Sequence, residues 1–134
     1  MEAQTRKILI AEDDERERTA LAAALGTLGA CIVAKDGMEA VDFYMDSLQG
    51  DTPFSLAVLD LMMPRLDGLD VLRFIRERER QERHRDARRL PVIVASAVVD
   101  RQTIDEVFAL GCDRYAAKPL DLRVLSRVAE RLLR

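Results

Sequence analysis

Leu56-Ala57-Val58-Leu59-Asp60-Leu61-Met62-Met63-Pro64 is the stretch whose reading decides the fold. An unbroken apolar run of strand length delivers a single carboxylate, and a Met-Pro stop follows within four residues. A run of that length and composition reads as a strand buried on both faces. Pro64 has no N–H to give to a ladder and biases Met63 away from helix, so the strand must finish near Asp60. Asp67-Gly68 then supplies a turn and a helix start. Asp60 stands at the carboxyl end of a central strand, where open α/β sheets place their ligands. Taken alone, the stretch also admits a helix N-cap aspartate.

The flanking sequence extends the same pattern. Lys7-Ile8-Leu9-Ile10-Ala11 is a second buried-strand run, followed at once by Glu12-Asp13-Asp14-Glu15. Asp14 and Glu17 have capping-box spacing, so a helix is expected from about Glu15, with Leu21, Leu25 and Leu28 as its apolar stripe and Gly29 as its stop. Cys31 to Ala34 is a short strand, and Asp36 with Glu39 repeats the capping pattern before Ala40, Val41 and Tyr44. Ser47 to Pro53, rich in turn formers, returns the chain to the Asp60 strand. After Gly68, a helical apolar face appears at Leu69, Val71, Leu72, Phe74 and Ile75. Pro91 to Ser96 is a fourth strand, Thr103 to Leu110 a helix closed by Gly111, and Tyr115 to Pro119 a fifth strand. Leu122, Leu125, Val128 and Leu132 stripe a last helix. Strict alternation of strand and helix argues for βαβ units and a parallel sheet.

The stretch from Arg76 to Arg89 breaks the pattern. Its only apolar residue is Ala87, and seven of its fourteen residues are arginine. With almost nothing to bury, it is expected to project from the domain as a polar extension of the third helix, supported by pairs such as Glu79 and Arg83. Interleaved Glu77, Glu79, Glu82 and Asp86 favour a self-compensated surface over a phosphate-binding one. His84-Arg85-Asp86 matches the first letters of a kinase catalytic loop, but no glycine-rich loop or Asp-Phe-Gly accompanies it.

Composition sets the remaining bounds. The 134 residues make a single domain, with its core from about residue 6, long enough to bury a core without disulfides or metal staples. A net charge of −3, from 21 basic and 24 acidic residues, gives no case for nucleic acid or anionic membrane as a partner. Cys31 and Cys112 lie far apart without metal-ligand spacing, which suggests reduced thiols in a cytoplasmic protein. Cys112 is expected to pack, not react, and Met62 and Met63 are expected to be buried loop residues. No apolar run approaches membrane-spanning length, and the polar start is no signal peptide.

Four of the five strands finish on a functional group: Glu12 and Asp13, Asp60, Ser96, and Lys118. In a parallel sheet these ends share one edge, so three carboxylates, a hydroxyl and an ammonium converge. Clustered carboxylates raise one another's pKa unless a cation sits among them. Mg²⁺ is the natural occupant, because it accepts a few carboxylates together with waters and phosphate oxygens. Lys118 could pair with Asp60 at rest, and with Ser96 could hold the oxygens of an arriving anion.

Taken together and in this order, these residues resemble the receiver domain of two-component response regulators, of the chemotaxis-response-regulator kind, over essentially the whole chain. The match is carried by Glu12-Asp13, by Leu59-Asp60-Leu61-Met62-Met63-Pro64 with Asp67-Gly68 behind it, by Ser96-Ala97, and by Tyr115 with Lys118-Pro119. The resemblance implies a flavodoxin-like (βα)5 sheet of order 2-1-3-4-5. It implies Asp60 as phosphoacceptor, with Asp13, Asp60 and the Met62 carbonyl binding Mg²⁺ and Glu12 acting mainly through water. Ser96 and Lys118 would hold the phosphoryl oxygens, and the Lys118–Pro119 bond would be cis. Movement of Ser96 and Tyr115 would alter the face made by helix four, strand five and helix five. The implied partners are a histidine kinase or histidine phosphotransfer protein as donor and a downstream target or effector domain. A phosphorylation-dependent homodimer is a further partner state. Beyond its own phosphorylation and dephosphorylation no enzyme activity is implied.

Other classes fit less well. A flavin carrier of this fold wants a hydroxyl-rich phosphate loop after the first strand, where Glu12-Asp13-Asp14-Glu15 would repel phosphate. An aspartyl-phosphate hydrolase of the haloacid-dehalogenase pattern needs a second aspartate where Met62 stands. A receiver that docks without phosphorylation is the remaining alternative. Departures from the commonest receiver pattern are Glu12 for aspartate, Ser96 for threonine, and the long connection between Gly68 and Pro91.

Overall fold

In a computed structural model that describes residues 6–50, 52–82 and 89–134, five strands alternate with five helices. The order is β1 (Lys7–Ala11), α1 (Glu15–Leu25), β2 (Ala30–Ala34), α2 (Gly37–Gln49), β3 (Leu56–Leu59), α3 (Gly68–Gln81), β4 (Val92–Ser96), α4 (Arg101–Leu110), β5 (Arg114–Ala117) and α5 (Leu122–Leu132). All strand pairs are parallel, in the order β2-β1-β3-β4-β5. This is the flavodoxin-like arrangement that the resemblance implied.

The two-residue period of a strand explains why the central runs are apolar throughout. Ile8 and Ile10 of β1, Leu56 and Val58 of β3, and Ile93 and Ala95 of β4 face one side, packing with Leu21 and Leu25 of α1 and Leu125 and Ala129 of α5. Leu9, Ala57, Leu59, Val92 and Val94 face the other, against Tyr44, Val71, Leu72, Ile75 and Val107. Each face needs its own apolar set, so no polar alternation could survive in these strands.

Each helix starts on an aspartate whose side chain accepts a backbone N–H of the first turn: Asp14, Asp36, Asp67, Asp100 and Asp121. Among the described residues, only Asp67 and Asp70 complete a reciprocal capping box. Glu17 and Glu39 have the right spacing, but their side chains go elsewhere, Glu39 to the Lys35 N–H and Glu17 to Lys118. Gly111 closes α4 in the left-handed region at φ 104°, as its place in the sequence suggests.

Two expectations are corrected. α3 ends at Gln81, and Arg76, taken as the start of a solvent-facing extension, is buried at 7% exposure. Its guanidinium donates to the Gly111 carbonyl at 3.0 and 2.8 Å, to Glu79 at 2.8 Å and to Asp113 at 3.3 Å. Asp113 also takes Arg89 at 2.7 Å and the Val92 N–H at 2.8 Å, and Glu79 takes the Leu90 N–H at 2.6 Å. These bonds tie α3 and the start of β4 to the turn between α4 and β5. Residues 83–88, with the His84-Arg85-Asp86 triplet, lie outside the described residues. Met62 is 64% exposed while Met63 is buried, so only one of the pair belongs to the core.

Candidate functional site at the carboxyl edge of the sheet

Backbone pairing carries each strand one residue past its end and delivers the functional groups to one edge. The Glu12 N–H bonds the Ala34 carbonyl at 3.0 Å, the Asp60 N–H bonds Ala11 at 3.0 Å, and the Lys118 N–H bonds Ser96 at 2.9 Å. Gly68 packs directly beneath this edge. A Cβ there would stand 2.3 Å from the Asp60 carbonyl oxygen and 2.9 Å from the Leu61 Cα, which only glycine avoids.

Carboxylate oxygens of Glu12, Asp13 and Asp60 lie within 4.8 Å of one another. Glu12 and Asp60 are buried and Asp13 is exposed, so the cluster opens to solvent on one side. Burial pushes the Glu12 carboxyl up to about 7, against the hydrogen bonds it accepts from Lys118 and the Asp14 N–H, and the Asp60 charge adds to the rise. Lys118 donates to Glu12 at 2.8 Å and to Asp60 at 3.0 Å, and pairs with Glu17 at 2.6 Å. Burial works against its charge, yet Glu12, Glu17 and Asp60 outweigh it and raise its pKa. The other Asp60 oxygen accepts the Met62 N–H at 3.2 Å.

Ser96 is fully buried, and its hydroxyl accepts the Val98 N–H at 3.1 Å. Tyr115, half-buried on β5, donates its hydroxyl to the Val98 carbonyl in a short bond. The segment after β4 is therefore held from both sides by the residues expected to move. The Lys118–Pro119 peptide is cis.

Glu12, Asp13, Asp60 and Lys118 are brought together as the sequence suggested, and Ser96 reaches the same edge. Two residues went unrecognised. Arg18 donates to the carbonyls of Glu12 at 3.0 Å and Asp13 at 3.2 Å, fixing the loop that presents the acidic pair. The sequence spacing reads Glu17 as a capping partner of Asp14. No local signal marks Glu17 as the third ion of Lys118, since the two lie a hundred residues apart along the chain; the spacing of Arg18 from Asp13 was visible but not diagnostic.

The donor set fits a hard divalent cation. All candidate ligands are oxygens, and three formal negative charges in the cluster face one ammonium.

A parallel α/β sheet with an acidic cluster and a lysine at the carboxyl ends of its strands defines a class of phosphoryl-receiving modules. The comparisons place the chain within it. Residues 8–130 match the response regulator receiver domain family, and the chain belongs to that family. It is 38% identical over 128 residues to the response regulator RR06 of Streptococcus pneumoniae serotype 2, covering 95% of this chain and 52% of that protein. The chain thus spans about half the length of that relative. The BeF3-activated DrrB receiver domain superposes with a TM-score of 0.78 at 26% identity, over 96% of this chain and 97% of that one. The CheX–CheY–BeF3–Mg²⁺ complex of Borrelia burgdorferi superposes at 0.77 and 28% identity, over 96% and 90% of the two chains. This is a receiver domain of two-component phosphorelay signalling. No helix among the described residues is long and apolar enough to cross a membrane.

Proposed function

We propose that Asp60 is the phosphoacceptor of this receiver and that a phosphohistidine on a kinase or phosphotransfer protein is the donor. The observation that carries this reading is the pairing of buried Asp60 with Lys118 beside the open acidic cluster. An Asp60 oxygen attacks phosphorus in line, the P–N bond to the imidazole breaks, and the acyl phosphate forms as the imidazole departs. Lys118 gives up contacts to Glu12, Glu17 or Asp60 and donates to a phosphoryl oxygen. Ser96 turns its hydroxyl from the Val98 N–H to another. Asp13, Asp60 and the Met62 carbonyl would hold Mg²⁺, with Glu12 acting through water, and the ion would offset the charge brought by the phosphoryl group.

Response regulators work between histidine kinases and downstream effectors, and a change at Ser96 and Tyr115 reaches the α4–β5–α5 face directly. That face would carry the output to a target, an effector domain or a second copy. The test is phosphorylation by acetyl phosphate with Mg²⁺, followed by intact mass. One phosphoryl group is expected on the protein and none on Asp60→Asn. Undiminished labelling of the variant overturns the assignment, and an unlabelled wild type leaves the phosphorylation-independent docking module as the reading.

A further inference from the structure

An ammonium has three N–H donors. Lys118 meets three carboxylates, Glu12, Asp60 and Glu17, so all three donors are committed at rest. The three acceptors are not equivalent. The Glu12 side chain is 1% exposed and that of Asp60 6%, whereas that of Glu17 is 42% exposed. Glu12 and Asp60 belong to the acidic cluster, and Glu17 does not.

Glu17 is also held in place by its backbone. Its N–H is bonded to the Asp14 cap at 3.0 Å, and its side chain is not used to cap Asp14 in return. It lines, with Lys118, a groove between α1 and the β5–α5 turn, together with Ala20, Leu21, Ala97 and Pro119. Its distance of 2.6 Å is the shortest of the three to Lys118.

We infer that Glu17 is a positioning residue, a releasable counter-ion that holds Lys118 at rest and competes with the incoming phosphoryl oxygens for its third donor. This rests on the reading of Asp60 as phosphoacceptor. For Lys118 to reach a phosphoryl oxygen, one carboxylate must let go. Asp60 gives up its carboxylate charge as it bonds phosphorus, so of the two carboxylates that stay charged, releasing Glu12 would leave a buried one unpaired, while Glu17 regains water as it turns outward. Glu17 therefore leaves at least cost, and its presence lowers the resting affinity of the site for a phosphoryl group. The ammonium is partly withheld until an anion outbids an exposed glutamate.

The test compares wild type, Glu17→Gln and Glu17→Ala in beryllofluoride binding with Mg²⁺, read by chemical-shift changes, and in acetyl phosphate labelling. Glutamine keeps the size and removes the charge, so a packing role would leave both readouts unmoved. Both variants should bind beryllofluoride about two- to fivefold more tightly, in the range of a partly exposed ion pair. The gain should shrink as salt rises from low to physiological ionic strength, because salt already screens the exposed Glu17. Labelling should accelerate in the same direction. Equal or weaker binding by both variants, with Asp60 labelled normally, overturns the role of Glu17 alone. Absence of Asp60 labelling in the wild type overturns the functional reading, and the inference with it.

Discussion

At the scale of single residues, Glu12 has the most testable electrostatics. Its carboxyl is 1% exposed, and burial lifts it to about 7 from an ordinary value of 4.5. Between those values the folded protein holds the proton more tightly than the unfolded chain. Its contribution to stability is therefore full below about pH 4.5 and lost as pH rises through 7. Metal-free protein should lose stability between pH 5 and 8 by on the order of 2 kcal/mol more than Glu12→Gln, measured by urea unfolding in a chelator. Saturating Mg²⁺ should remove the difference, because a divalent ion favours the carboxylate. Parallel pH profiles for the two chelated proteins would contradict the burial argument. Cys112 follows the same physics: burial raises its thiol to about 11, which agrees with a packing role.

At the scale of elements, Arg76 has the largest part in joining α3 to the rest. One planar guanidinium satisfies the carbonyl left by the α4 cap, a carboxylate of its own helix and Asp113 at the start of β5. Removing it leaves the Gly111 carbonyl and Asp113 to the half-exposed Arg89, which donates to them at 2.5 and 2.7 Å, and takes from Glu79 its guanidinium partner. Arg76→Ala should lower stability by about 2–3 kcal/mol, and Arg76→Lys should recover little of it, because a point charge cannot bond two directions at once. Urea midpoints decide the matter; an unchanged midpoint for Arg76→Ala would refute the anchor. The loss should leave Asp60 labelling near wild type, since the network lies at the opposite end of the strands.

At the scale of the whole molecule, the site is where two independently packed faces of one sheet meet solvent. Neither face supplies the cluster alone; β1, β3, β4 and β5 must pair in register for Glu12, Asp60 and Lys118 to meet. A cation bound there binds the folded state and not the chain, so it must raise global stability by mass action. Above the dissociation constant, each tenfold rise in Mg²⁺ should add about 1.4 kcal/mol, and chelation should abolish the gain. Asp13 is exposed and carries no part of the core, so Asp13→Asn should remove most of this response while the metal-free melting temperature stays near wild type. An equal Mg²⁺ response in the variant would exclude Asp13 from the cation site.

Periodicity, helix starts and strand-end residues are properties of neighbouring positions, so the sequence by itself determined the alternation of elements and the groups each strand delivers. Leu56 to Leu59 reads as a strand buried on both faces, and the carboxylates at the other strand ends decide against a helix N-cap for Asp60. The strand order came through family likeness, because apolar runs such as β1, β3 and β4 carry no label of their neighbours. Tertiary structure alone decided which charges meet. Lys118 finds Glu12 across 106 residues, and Arg76 finds Asp113 across 37. Burial of Arg76, exposure of Met62 beside buried Met63, and the diversion of Glu17 from capping to Lys118 all depend on such partners. Desolvation and ion pairing act through space at a few ångströms, and distance along the chain does not report distance in the fold.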